Sequence, residues 1–302
     1  MGFSKDFAWG AATSSYQIEG AAEEGGKGTD IWNVFTKEPG RIAGGHTGDV
    51  ACDHYHRFRE DVAMMKEMGL KAYRFSVNWA RVLPEGTGRV NEEGVRFYSD
   101  LIDALLEAGI EPYLTLYHWE MPYELYKRGG WMNPESVRWF GEYAKLAAER
   151  FSDRVRYFFT LNEPQCFVGF GYLRGEHAPG LKAPLRDVFE IAHNALKAHG
   201  YAVQMLRQYG KQPLVIGYAP TGSMCYPESE KEEDIEAARQ MLFSIPENMD
   251  NWTWNVSWWS DPVILGEYPE EGMKQFEPYL PKITEKDMKL ISEPIDIYGQ
   301  NI

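Results

Sequence analysis

Arg154-Val155-Arg156-Tyr157-Phe158-Phe159-Thr160-Leu161-Asn162-Glu163-Pro164 is the stretch on which the reading of the chain turns. Apolar and aromatic residues with a β-branched valine read as a buried strand, and Pro164 stops it. Glu163 is then expected as the last residue of that strand, with Asn162 beside it. A carboxyl group at the carboxyl end of a strand is where α/β-barrel enzymes hold their chemistry.

Working outward, strands are predicted over 7–13, 71–77, 111–117, 155–161, 214–218 and 295–300. Asp53 is expected to cap a helix with Tyr55, Phe58, Val62 and Met65 on one face, closed by Gly69. Asn91 opens another, with Val95, Tyr98, Ile102 and Leu105 inward and Gly109 at its end. Further helices are predicted from Asn133-Pro134 to Phe151 and from Asp187 to Tyr209, and the segment 228–290 reads as helices and loops. Strand and helix alternate without a low-complexity linker, which implies parallel βαβ units in a single incomplete domain over 1–302. The fold class is therefore α/β, a (β/α)8 TIM barrel with six of its eight units in this chain. An open doubly wound sheet is the alternative. It usually carries a glycine-rich nucleotide turn, and the loop through Gly28 has neither GxxxxGK[ST] nor GxGxxG and reads as irregular surface. Polar residues at strand ends (Gln17, His118, Asn162, Glu163 and Asn301, with Arg74 inside its strand) form a rim that favours the barrel.

Composition narrows the function. The 302 residues include 45 acidic and 31 basic side chains, a net charge of −14, which argues against nucleic acid and anionic membranes as partners. Cys52, Cys166 and Cys225 are scattered, so neither a disulfide framework nor a thiolate zinc site is indicated. His54 and His56 lie two apart on a helix and point in different directions, which suits surface or packing roles rather than a metal. The opening Met1-Gly2-Phe3-Ser4-Lys5-Asp6 has no apolar signal core and no lipidation pattern, and no apolar run reaches membrane-spanning length. A cytoplasmic protein without cofactor or metal is expected.

The stretches FAWGAATSSYQIEGA (7–21), YRFSVNWARVLPEGTGRVNEEGVRFYSDLID (73–103), LTLYHWEMP (114–122), RGGWMNP (128–134), FTLNEP (159–164) and GYLRGEHAPG (171–180) occur in an order and spacing that resembles the family 1 glycoside hydrolases. These are retaining β-glucosidases and 6-phospho-β-glucosidases, and the likeness spans essentially the whole chain. It implies that Glu163 is the general acid/base, held protonated near neutral pH by an apolar aromatic site. It also implies that Gln17, His118 and Asn162 hydrogen-bond the sugar, that Trp119 lines the same subsite, and that Asn301 belongs to it. Arg74 matches the arginine that holds the nucleophilic carboxylate.

Departures from the family pattern are equally legible. Glu120 stands where the family commonly has Asp in an HWD triplet, and Asn78 where a small residue is usual. The family's nucleophile lies in a Thr/Ile-Glu-Asn-Gly motif, and no such motif follows Glu163. Ile283-Thr284-Glu285-Lys286 lacks the Asn-Gly, and Thr284 reads as a helix cap. The chain therefore resembles the first two-thirds of such an enzyme. A β-glucoside or related oligosaccharide is the expected substrate, and a complementary C-terminal segment or chain the expected partner. The alternative is a non-catalytic carbohydrate-binding or self-assembling fragment derived from one.

Overall fold

Six parallel strands carry the polar rim. In the computed structural model, which describes residues 2–249 and 251–302, they are β1 Gly10–Ala12, β2 Ala72–Ser76, β3 Glu111–Tyr117, β4 Tyr157–Asn162, β5 Val215–Ala219 and β6 Ile297–Tyr298. Their order in the sheet is their order in the chain. A closed barrel of this class has eight strands. The six form part of one, and among the described residues the outer edges of β1 and β6 pair with nothing. Met1 of the opening Met1-Gly2 pair, and Asp250 within the segment 228–290, lie outside the described residues.

Helix α1 Ser15–Ile18 lies at the rim beside the cavity, and the helices that follow are α2 His54–Glu67, α3 Glu92–Glu107, α4 Ser136–Phe151, α5 Pro164–Val168, α6 Leu185–Tyr209, α7 Glu232–Phe243, α8 Val256–Ile264 and α9 Glu285–Ile291. Because the sheet is covered, β3 and β4 are continuous buried runs rather than alternating ones. In α3, Val95, Tyr98, Ile102 and Leu105 are all buried, as their spacing predicts. Trp79 stacks on Tyr143 of α4 with ring centroids 5.0 Å apart. Gly200 of α6 meets α9 backbone to backbone. A Cβ there would lie 1.8 Å from the Leu290 carbonyl oxygen, so only glycine permits the contact.

Several sequence-based expectations need correction. Strand β1 is shorter than 7–13 and β6 shorter than 295–300, because edge strands without an outer partner make few ladder bonds; Asn301 instead bridges to Thr221. Asp53 does not cap α2: its backbone is left-handed at φ 57, and its carboxylate bonds the His56 imidazole at 2.6 Å. Asn91 precedes α3 without a capping bond, its amide donating instead to the Gly25 and Arg81 carbonyls. The glycine-rich loop is not all surface. Lys27 is nearly buried within it, bonded to Asp30 at 2.8 Å and Asn33 at 2.7 Å. His54 is a buried packing histidine on Asp61, and His56 is exposed. Thr284 is the helix cap expected, in a reciprocal capping box with Asp287.

Candidate active site

The rim begins with an irregularity in β4. Phe159 pairs with Gly217 and Asn162 with Ala219, so three residues of β4 advance against two of β5. Simple alternation from Phe159 would send Asn162 to the helix-covered face; the bulge turns it inward. β4 ends at Asn162, and Glu163 is not its last residue, as the sequence had suggested. Glu163 takes a left-handed backbone, φ 46, and its carbonyl accepts from the Cys166 and Phe167 N–H groups as α5 begins. Pro164, with no N–H to lose, fills the first helical position. A non-glycine residue in this region is disfavoured and recurs at functional sites.

Around Glu163 the side chains form one network. Asn162 Oδ1 accepts from Arg74 Nη2 at 2.7 Å and from Asn301 Nδ2 at 3.0 Å. Two donors on that oxygen fix the amide orientation, so its nitrogen faces the His118 ring, 3.3 Å from Nε2. Asn301 Nδ2 also donates to Glu163 Oε1 at 2.7 Å. Arg74 Nε donates to Thr115 Oγ1 at 2.8 Å, and the guanidinium lies over the Phe159 ring, 5.0 Å from its centre. Burial pulls this guanidinium down to about 10, with the Glu163 charge opposing, so it stays cationic at neutral pH. Burial, aided by the Arg74 charge, drops the His118 imidazole to about 3. It is therefore neutral and can both donate and accept.

Trp119 sits at φ 92, also left-handed, with its indole Nε1 donating to the Asn162 carbonyl at 2.9 Å. Its ring belongs to an aromatic wall with Trp32, 6.4 Å away and stacked, and His177 at 5.6 Å. Gln17 is exposed and outside the hydrogen-bond network, but it lines the same cavity of about 350 Å³ as His118, Trp119 and Glu120. The structure thus brings Arg74, His118, Trp119, Asn162, Glu163 and Asn301 together, with Gln17 at the cavity wall. Arg74 holds Thr115 and Asn162, and among the described residues Glu163 is the one carboxylate hydrogen-bonded in this network.

Two contributors escaped sequence reasoning. Burial pushes the Cys166 thiol well above its ordinary range, and the charge of the Glu163 carboxylate and a hydrogen bond to it add to the effect. A residue three positions into a helix returns to the face where it starts, so that spacing was the available signal. Thr115, the Arg74 partner, gave none beyond its place in a strand.

Parallel βα units in chain order with a polar cluster at the carboxyl ends of their strands are the arrangement of the α/β-barrel fold. The chain belongs to glycosyl hydrolase family 1, whose family model matches residues 1–302. It is 47% identical over 301 residues to beta-glucosidase A of Acetivibrio thermocellus and 45% identical over 299 residues to beta-glucosidase A of Thermotoga maritima. Each alignment covers 99% of this chain but only 64% and 65% of the relative. The Thermotoga maritima β-glucosidase solved in complex with glucoimidazole superposes with a TM-score of 0.88 at 44% identity, over 99% of this chain and 65% of that one. The chain spans about two-thirds of the length of these relatives. Among the described residues no helix is long and apolar enough to cross a membrane.

Proposed function

We propose that the protein is a retaining β-glycosidase that hydrolyses terminal β-linked glucosides, with residues 1–302 forming most of one catalytic barrel. The supporting observation is the Glu163 carboxyl just beyond β4, bonded by Asn301, which also donates to Asn162, whose amide nitrogen faces the neutral His118 ring. In this reading Glu163 protonates the departing glycosidic oxygen and later takes the proton from the attacking water. Gln17, His118, Asn162 and Asn301 engage sugar hydroxyls, and Trp119 offers the ring an apolar face. Arg74 has donors beyond those serving Thr115 and Asn162, and these hold the nucleophile. The nucleophile is a glutamate supplied by a C-terminal or complementary segment. In retaining geometry its carboxyl lies about 5 Å from that of Glu163. Deoxynojirimycin, bound by the Thermotoga maritima enzyme, is an expected ligand.

The test is a 2-deoxy-2-fluoro-β-glucoside with a good leaving group, which traps the glycosyl-enzyme intermediate. Peptide mapping should find the label on a glutamate outside residues 1–302. A label on a residue within them, or turnover of β-glucosides with no covalent intermediate, would overturn the reading.

A further inference from the structure

We propose that Glu120 is a positioning residue of the sugar site, whose carboxyl clamps the turn carrying Gln17 onto the rim carrying His118 and Trp119. The inference rests on the glycosidase reading of this site. Gln17 makes no hydrogen bond to His118, Trp119 or Asn162 among the described residues, so its place opposite them must come from its backbone. That backbone is the short helix α1. Ser14, the residue before it, makes no capping bond through its side chain. Glu120 supplies one from across the cavity: its Oε1 accepts from the Tyr16 N–H at 3.0 Å and from Ser15 Oγ at 2.8 Å. Ser15 is tied further, its N–H donating to Ser76 Oγ of β2 at 2.7 Å. Two bonds thus converge on one carboxyl oxygen, from the two residues just before Gln17.

The other end of the clamp is equally constrained. Glu120 is 2% exposed and directly follows Trp119. The left-handed Trp119 is held through its carbonyl, which accepts from Tyr117 Oη and from the Met121 N–H, each at 3.2 Å. Its indole is held by the Asn162 carbonyl. Ser14, Tyr16, Gln17, His118, Trp119 and Glu120 all line the same cavity. A carboxyl joining its two walls sets their separation, and with it the fit of a sugar ring between Gln17 and Trp119. Burial pushes this carboxyl up to about 8, against the bonds from Tyr16 and Ser15 and with the nearby Asp30 charge. Below that value the carboxyl is neutral, and its Oε1 accepts both bonds. Glutamine keeps that acceptor.

The experiment compares Glu120→Ala and Glu120→Gln with the wild type in the full-length protein. It reads amide hydrogen exchange over 15–18, deoxynojirimycin affinity, and kcat and KM on an aryl β-glucoside. Glu120→Ala should speed exchange over 15–18 while leaving β2–β5 protected. It should also weaken deoxynojirimycin and raise KM by about tenfold, with kcat little changed. Glu120→Gln, keeping the acceptor, should restore all three. Unchanged exchange in Glu120→Ala, equal damage by both variants, or a loss confined to kcat would overturn the proposal. Should Glu120→Ala not fold, Ser15→Ala removes one of the two donors and must show the same pattern more weakly. A wild type that neither binds deoxynojirimycin nor cleaves glucosides would sink the glycosidase reading instead. The exchange data would still decide whether Glu120 clamps the turn.

Discussion

Asn301 Nδ2 donates to Glu163 Oε1 at 2.7 Å and to Asn162 Oδ1 at 3.0 Å, so one amide nitrogen just beyond β6 joins the two polar side chains at the end of β4. The two positions are 138 residues apart in sequence, and this contact is where the sixth βα unit enters the site.

Removing it should be costly to chemistry and cheap to the fold. Asn301 Nδ2 makes two hydrogen bonds, each contributing about 0.5–1.5 kcal/mol, and Asn301 is only half-buried. Asn301→Ala is expected to lower kcat/KM on aryl β-glucosides by about tenfold. Its melting temperature should stay close to that of the wild type. Steady-state kinetics beside a thermal melt checks both halves.

Glu120 should mark the pH dependence of stability. Its folded value, about 8, lies above its ordinary 4.5, so between those limits the folded state binds more protons than the unfolded. Stability from this group is full below 4.5 and is lost as pH rises toward 8, by up to about 1.4 kcal/mol per pH unit. Urea unfolding at pH 5 and pH 8 should therefore show a larger loss for the wild type than for Glu120→Gln. Equal losses would mean the carboxyl is already ionised.

Three buried imidazoles act in the opposite direction. Burial lowers His118 and His199 to about 3 and His193 to about 4, with a cation adding to the effect at His118 and His193. Each is neutral in the folded state and protonates in the unfolded one below about 6.5. Their stabilisation is present above 6.5 and is lost as pH falls toward 4. His199 Nδ1 bonds Thr160 Oγ1 at 2.6 Å, and its ring is fully buried. His199→Asn should lower stability at pH 7 while flattening its decline between pH 6.5 and 4, as read from urea midpoints.

The unpaired edges of β1 and β6 predict the behaviour of residues 1–302 on their own. Phe3, Phe7 and Trp9 are exposed and packed on one another near β1, with centroids 4.3–4.9 Å apart. Leu265 at the end of α8 is 66% exposed, and it and Tyr298 of β6 line one largely apolar cavity of about 390 Å³. Exposed edges and apolar surface invite association. The polypeptide 1–302 alone should bind a hydrophobic dye and melt over a broad range. A sharp two-state transition without dye binding would contradict this.

Much of this architecture was legible in the sequence because parallel βα units repeat a strong pattern. The apolar face of α3, the span of α4 and the buried runs of β3 and β4 were legible in the letters, and their boundaries lie within a few residues of expectation. The edge strands were overestimated because an apolar run does not reveal whether a partner lies on its far side. Within the site, the motifs picked out Arg74, His118, Asn162, Glu163 and Asn301, which the fold brings together. The bulge that turns Asn162 inward left no mark in the letters, since it depends on register against β5. The left-handed backbones of Trp119 and Glu163 were equally hidden, because neither is glycine. Glu120 drew notice only as a departure from the family pattern. Its bonds to Ser15 and Tyr16 span more than 100 residues and needed the fold to be seen.

The most direct measurement is the leaving-group dependence of Glu163→Gln in the protein with its barrel complete. General acid catalysis contributes about 10²–10⁴-fold where the departing oxygen needs a proton and little where it does not. The account predicts that kcat/KM on an alkyl β-glucoside falls by about that factor, whereas on 2,4-dinitrophenyl β-glucoside it changes only slightly. An equal loss on both substrates, or none on either, would remove Glu163 from the acid/base role.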